Sequence, residues 1–142
     1  MAYTTRAQIE ANLPPQFLLQ ALDDNGDGTE DTGLLDTILE GADGEVEAIL
    51  GQRFAVPFTA PIPPVVPRAA LVFTLETLYR RRGYGTEERP NPFAAEARKL
   101  REKLDRIARG EEPLAPEASR TRPAISAITE ASRVGGQCGA IL

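Results

Sequence analysis

The chain has 142 residues, a formal net charge of −5, no histidine and a single cysteine. This length suits one domain, and the negative charge argues against a general nucleic-acid-binding surface. The lack of histidine and of a Gly-rich phosphate loop removes the usual equipment of catalysis, so we expect no enzyme and no cofactor. The longest apolar run, Ala69–Phe73, is too short to cross a bilayer, so we expect no membrane association.

The charges are segregated along the chain. Residues 7–52 contain eleven acids and no Lys or Arg, whereas residues 53–109 contain twelve Lys or Arg against six acids. Such segregation favours contact between the unlike halves, either within the fold or between neighbouring copies.

Two short helices are predicted ahead of residue 23. Thr5 followed by Gln8 is a capping-box pattern, which predicts a first helix over residues 6–12. Pro15 can then occupy the first turn of a second short helix. The apolar residues of that second helix are Phe17, Leu18 and Leu22.

The third and clearest helix is predicted near residues 32–53. Asp31 or Thr32 can cap its start, and its apolar residues recur in steps of three, four and seven, which places them on one face. Gly41 and Gly44 weaken this helix relative to alanine, or their small size permits close approach of another helix. The apolar face consists of Leu34, Leu35, Ile38, Leu39, Ala42, Val46, Ile49 and Leu50.

A proline-rich connector, Phe54–Pro67, precedes the fourth helix. Its five prolines are incompatible with a helix interior or a central strand, so we expect a stiff, extended segment. Pro67 can open a helix near residues 67–82, whose last turn carries three arginines that oppose the negative end of the helix dipole.

The last strong helix is predicted near residues 91–109, with Asn91 as N-cap and Pro92 at the first helical position. Beyond it, residues 111–142 contain three prolines and only short apolar runs, which predicts an extended arm that orders on a partner. The expected anchors of the arm are Ile125, Ile128, Ile141 and Leu142.

Together these patterns predict an all-α protein. We expect a small bundle of four to five helices within a domain of residues 1–110, joined by a proline-rich connector and followed by the arm of residues 111–142.

An acidic loop, residues 23–31, is the first candidate site. Its spacing matches the opening of an EF-hand calcium loop, in which several hard oxygens lie on a tight turn. The twelfth position, where a bidentate Glu is expected, is Leu34, so any calcium binding should be weak. A polar connector between helices explains the same residues. The candidate ligands are Asp23, Asn25, Asp27, Thr29 and Asp31.

The arginines of the second half form the other candidate sites. They can pair with carboxylates of another segment or of another subunit, and residues 80–82 can alternatively contact phosphates, as in a helical DNA-contacting regulator. The candidate interface arginines are Arg80, Arg81, Arg82, Arg98, Arg101 and Arg106.

The order of these elements resembles the Mu-like bacteriophage head-tail joining family of small helical neck proteins. The similarity covers roughly residues 1–114. It rests on the opening Met-Ala-Tyr-Thr-Thr, the acidic loop, the stretches Ala42–Leu50 and Gln52–Phe58, and the helix end Ile107–Gly110 followed by Pro113 and Leu114.

The resemblance implies a structural virion protein, assembled in the bacterial host cytoplasm. It implies a homo-oligomeric ring matching the portal symmetry, which adapts the portal protein to a tail-side neck or tail-terminator protein. DNA is expected to pass through the lumen without specific binding. A small calcium-binding helical module and a DNA-contacting regulator are the alternative expectations.

Overall fold

A computed structural model describes residues 2–114 of the chain. These residues form five α-helices and no strand, which confirms the predicted all-α class. The helices are α1 (Arg6–Asn12), α2 (Pro15–Leu22), α3 (Leu34–Leu50), α4 (Val65–Arg81) and α5 (Ala94–Ala108). None of the helices in this part of the chain is long and apolar enough to span a membrane.

Helix α4 is the centre of the bundle. It packs against α3 and α5, and α1 and α2 pack against it as well. Its buried residues point in every direction around the axis, as expected for a helix surrounded by others. They are Val66, Ala69, Ala70, Val72, Phe73, Thr74, Leu75, Glu76 and Leu78.

The two short helices begin and end as the sequence predicts. Thr5 caps α1 through a full capping box with Gln8, and Pro15 is the first residue of α2. Ile9 of α1 and Leu22 of α2 are fully buried, so the helices attach to the bundle by their apolar sides.

The start of α3 differs from the prediction. Its N-cap is Gly33, in the left-handed region at φ 79°, with no side-chain cap, rather than Asp31 or Thr32. The Asp31 carboxylate instead accepts the backbone N–H of Asp24 within the acidic loop. The loop therefore uses the side chain that was expected to cap the helix, and α3 begins two residues later than predicted.

Helix α4 begins at Val65, inside the segment that we expected to be non-helical. Pro67 is accommodated because the first N–H groups of a helix have no intrahelical partner. A proline there, which has no N–H, therefore removes no helical hydrogen bond. The remaining connector, residues 54–64, is irregular and contains cis peptide bonds before Pro57 and Pro61.

Helix α5 begins at Ala94, three residues after the predicted cap. The Asn91 side chain accepts the N–H of Phe93 and donates to the carbonyl of Glu76, so it ties the preceding turn to α4. After α5, Glu112 pairs with Lys103 and Arg106. The predicted anchors Ile125, Ile128, Ile141 and Leu142 lie outside the described residues.

Candidate functional site

The acidic loop is a compact turn organised around Asp23. One carboxylate oxygen of Asp23 accepts the N–H of Gly26 at 2.8 Å, and the other accepts the N–H of Gly28 at 2.9 Å. Carboxylate oxygens of Asp23, Asp27 and Asp31 all lie within 4.8 Å of one another. Three negative charges at this separation repel one another. A hard cation bound between them would offset that repulsion.

The other two predicted ligands support the loop. Asn25 accepts the N–H of Asp27 at 3.0 Å, and the hydroxyl of Thr29 donates to Asp27 at 2.9 Å. Hydrogen bonds from the backbone and side chain of Thr29 lower the pKa of Asp27 below its ordinary value. The twelfth position of the loop, Leu34, packs against the hydrophobic core, so it supplies no ligand.

The acidic and basic halves of the chain meet at Arg101 on α5. Its guanidinium bonds Glu45 on α3, and its Nη2 lies 2.8 Å from Oε1 of Glu76 on α4. The same group lies over the ring of Phe73, 4.5 Å from the centroid. Hydrogen bonds to Glu45 and then Glu76 raise the pKa of Arg101. The sequence predicts Arg101 as an interface residue. In the structure its side chain connects three helices of its own subunit.

The arginines at the end of α4 fix α2 and the acidic loop to the bundle. Arg81 donates to the carbonyl of Ala21 at 2.9 Å and pairs with Asp24. Arg82 bonds Gln20, and its guanidinium lies 5.5 Å from the ring centroid of Phe17. Arg81 therefore pairs with a carboxylate of another segment, whereas Arg82 bonds a side-chain amide.

Four aromatic side chains form a cluster beside Arg82, a feature that the sequence analysis missed. Tyr79 contacts Phe17, Tyr84 and Phe93 at centroid distances of 4.5, 5.1 and 5.5 Å. Arg89 stacks on Tyr84 at 4.4 Å. Phe17 lies more than 60 residues before the other three rings in the chain, so no periodicity in the sequence could reveal the cluster.

The remaining predicted interface arginines lie at the surface. Arg98 is exposed and forms no ion pair among residues 2–114, as is also true of its neighbour Lys99. Arg106 is exposed and pairs with Glu112. Arg80 is exposed, and its recorded hydrogen bond goes to Thr77 at 3.4 Å.

The N-terminal segment is attached to α3 and to the connector through Tyr3. Its N–H donates to the Asp43 carboxylate at 3.2 Å, and its hydroxyl donates to Glu47. The same hydroxyl accepts the N–H of Phe58 at 2.9 Å. Burial, followed by the hydrogen bond to Glu47, raises the pKa of Tyr3.

The hydrogen bonds of Tyr3, called here the tether, place acidic residues of α3 beside the N-terminal segment. A cleft of about 460 Å³ is lined by Asp36, Glu40, Asp43 and Glu47, and Ala2 and Pro57 also border it. Asp43 is 7 % exposed, and desolvation is the main cause that raises its pKa.

Comparison with known proteins identifies the family. No curated protein matches the sequence. The family model described as Bacteriophage Mu, Gp36 matches residues 3–130, which is most of the chain. The chain therefore belongs to the Bacteriophage Mu Gp36 family and is a Mu-like phage protein.

Proposed function

We propose that the protein is a non-enzymatic structural component of the virion, the subunit of a head-tail connector ring. Its partners in this proposal are further copies of the chain, the portal protein on one side, and a tail-side neck or tail-terminator protein on the other. DNA passes through the lumen without specific binding, no membrane is involved, and the ring assembles in the host cytoplasm.

Membership of a Mu-like phage family supports the proposal, and one structural observation carries it furthest. Charged surfaces of opposite sign remain on one small subunit after its internal pairs have formed. Asp36 and Glu40 on α3 make no ion pair within the described residues, and neither do Arg98 and Lys99 on α5. Surfaces of this kind suit repeated unlike contacts, which close into rings when the rotation between copies permits.

The test is genetic and structural. A phage that carries a premature stop codon early in this gene should produce DNA-filled heads and complete tails that stay separate, because the joining ring is missing. Supplying the wild-type protein in trans should restore joined particles, and a gold-labelled epitope at the C-terminus should appear at the neck. Joined, infectious particles without the protein would refute the connector role.

We also propose weak cation binding by the acidic loop, because three of its carboxylates converge. This is compatible with the connector role and does not require a separate regulatory function. The DNA-contacting alternative remains a prediction, tested by the salt dependence of duplex binding, which should be steep if arginines neutralise phosphates. Arg81 already pairs with Asp24, so it is less available for phosphate than the sequence suggested.

A further inference from the structure

We infer that the acidic side of α3 is a socket for the outer face of α5 from a second copy of this chain. The socket, called here the acidic groove, is formed by Asp36, Glu40, Asp43 and Glu47 together with Leu39 and Gly44. The residues that enter it are Arg98 and Lys99 of the neighbouring copy. The inference rests on the self-association that the connector proposal requires, and it specifies which surfaces meet.

The four acids of the groove form one row. They are spaced four, three and four residues apart, which places them on a single face of α3. Like charges at this spacing repel one another. No Lys or Arg among residues 2–114 pairs with any of them. The row therefore has no Lys or Arg counter-charge among residues 2–114.

Asp43 is a buried acid of this row with a single hydrogen-bond donor. Its side chain is 7 % exposed, and its two oxygens share one donor, the N–H of Tyr3, at 3.2 and 3.4 Å. A buried carboxylate is normally paired or bound by several donors, because burial removes the water that would stabilise it. The groove thus contains a carboxylate with a single backbone donor, which an incoming cationic side chain can bind.

Gly44 leaves room for that side chain. A Cβ atom at this position would meet nothing within 4 Å, so packing inside the subunit does not require glycine. Glycine weakens a helix relative to alanine, so its presence in the middle of α3 calls for another reason. The space at Gly44 lies in the groove, beside Asp43 and Glu47.

Charge complementarity supports α5 of a second copy as the occupant. On α5 and at its C-cap, the residues engaged in ion pairs within the subunit are Arg101, Lys103, Arg106 and Arg109. Arg98 and Lys99 are the cations of α5 that remain exposed and without ion pairs in the described region. Their long side chains project from the outer face of the helix, so they can reach into a neighbouring cleft.

The same copy cannot fill its own groove. Glu45, which reaches Arg101 of α5, lies two residues from both Asp43 and Glu47, and a step of two turns a side chain to the opposite side of an α-helix. The groove and α5 therefore lie on opposite sides of α3. A contact from the α5 of one copy to the groove of the next is heterologous, as in a closed ring.

The first experiment exchanges charges between the two surfaces in the full chain. An acid-reversed variant carries Asp36→Lys and Glu40→Lys, a base-reversed variant carries Arg98→Glu and Lys99→Glu, and a third variant combines all four changes. Sedimentation velocity and light scattering measure self-association, and circular dichroism checks that each variant is folded. We expect each reversal to weaken self-association at least about tenfold, because several ion pairs are replaced by repulsion.

Restoration distinguishes a direct contact from a general effect of charge. The combined variant should associate like wild type, because the two surfaces are again complementary. An equimolar mixture of the acid-reversed and base-reversed variants should also associate, whereas neither does so alone. Failure of both restorations in folded proteins would overturn the inference.

The second experiment fills the groove without changing its charge. Gly44→Gln places a side chain in the groove, and Gly41→Gln is the matched control, since Gly41 is also helical and open but borders a different hollow with Phe73 and Arg80. Both variants should raise the melting temperature, because glutamine favours helix more than glycine does. Only Gly44→Gln should weaken self-association, and equal effects of the two variants would contradict the groove.

The outcomes separate this inference from the connector proposal. A wild-type protein that stays monomeric at high concentration, or associates normally after charge reversal, would exclude the acidic groove as a self-contact. Neither result would affect the labelling of the neck or the phenotype of the phage that lacks the protein. Loss of neck labelling would instead remove the connector proposal and leave any measured self-contact in place.

Discussion

Arg101 on α5 lies with its Nη2 2.8 Å from Oε1 of Glu76 on α4, and Glu76 is among the few charged residues that are buried. The same guanidinium bonds Glu45, so one basic side chain connects α3, α4 and α5. The charge segregation seen in the sequence therefore acts first inside the fold, where a cation of the basic half compensates an acid of the acidic half. Only the charges that remain are available for assembly.

Replacing Arg101 with alanine should destabilise the isolated subunit by about 1–3 kcal/mol, because Glu76 would lose a charge-assisted partner while remaining buried. Urea denaturation followed by circular dichroism measures the change. Arg98→Ala is the matched control, since Arg98 lies on the same helix, is exposed and makes no ion pair among residues 2–114. That control should stay within about 0.5 kcal/mol of wild type.

Equal stabilities of the two variants would show that the pair with Glu76 contributes nothing to the fold. A joint reversal of Arg98, Arg101 and Arg106, which the sequence alone suggests as an assembly test, would mix the two effects. The structure assigns Arg101 to the fold and leaves Arg98 for assembly tests.

The helices were predictable because their signals are local. The capping box at Thr5 and the proline at residue 15 each act within one turn, and both mark helix starts found in the structure. The boundary errors arise where tertiary bonds compete with local ones. Asp31 bonds Asp24 in the loop instead of capping α3, and Asn91 bonds the carbonyl of Glu76 on α4.

The features missed by sequence reasoning join residues that are far apart in the chain. Tyr3 reaches Asp43 and Phe58, which are 40 and 55 residues away, and no spacing rule covers such separations. The segregation of charge was visible in the sequence, but the sequence could not show which arginines would form ion pairs within the subunit. Among residues 2–114, the geometry divides them into residues that form ion pairs, such as Arg81, and residues that form none, such as Arg98.

Tyr3→Phe should lower the free energy of unfolding by about 1–2 kcal/mol, because the lost hydroxyl joins Glu47 to the N–H of Phe58. The ring, with its edge-to-face contact to Phe58, is retained, so the variant isolates the two hydrogen bonds. Limited proteolysis should also cut the connector near residues 54–60 faster. An unchanged melting temperature and cleavage rate would show that the tether is dispensable.

The stability of the protein should depend on the ionisation of Asp43. Desolvation is the largest cause that raises the pKa of this carboxyl, and the charges of Glu47 and Glu40 raise it further, whereas the N–H of Tyr3 and the N-terminal positive charge lower it. A folded-state pKa above the unfolded value means that the folded form holds the proton more tightly. The stabilising contribution of the protonated group is therefore fully present below the ordinary Asp value, about pH 4, and is lost as pH rises through the folded pKa.

Asp43→Asn removes this titration and is the variant that tests it. The melting temperature of wild type relative to Asp43→Asn should fall as pH rises from about 4 to 7. The melting temperature of wild type relative to Asp43→Ala should fall with pH in the same way. Asp43→Ala should be less stable than Asp43→Asn at every pH, because it also loses the hydrogen bond from the N–H of Tyr3. A difference between wild type and Asp43→Asn that is constant with pH would contradict the shift.

Calcium at millimolar concentration should raise the melting temperature slightly, because the oxygens of Asp23, Asp27 and Asp31 converge but no bidentate Glu completes the loop. Asp27→Asn should abolish the increase. Asp36→Asn removes an acid outside the loop and should retain it. Identical melting curves with calcium and with chelator would leave the loop as a polar turn that needs no ion.

Removing residues 115–142 should leave the melting temperature of the helical part nearly unchanged, because the five helices of the described region and their buried residues belong to the remaining chain. The cut belongs after Leu114, not after Gly110, because Glu112 pairs with Lys103 and Arg106 at the end of α5. A matched variant ending at Gly110 loses those pairs, each exposed enough to contribute only about 0–1 kcal/mol.

The same truncation should abolish the joining of heads to tails, because the removed segment carries the apolar groups at Ile125 and Ile128 that we expect to bind a neighbour. Complementation of a phage lacking the gene measures joining, and differential scanning calorimetry measures stability. If the chain ending at Leu114 melts well below wild type, residues 115–142 contribute to the fold itself. If it melts normally and still joins heads to tails, those residues play no part in attachment, and the arm proposal is wrong.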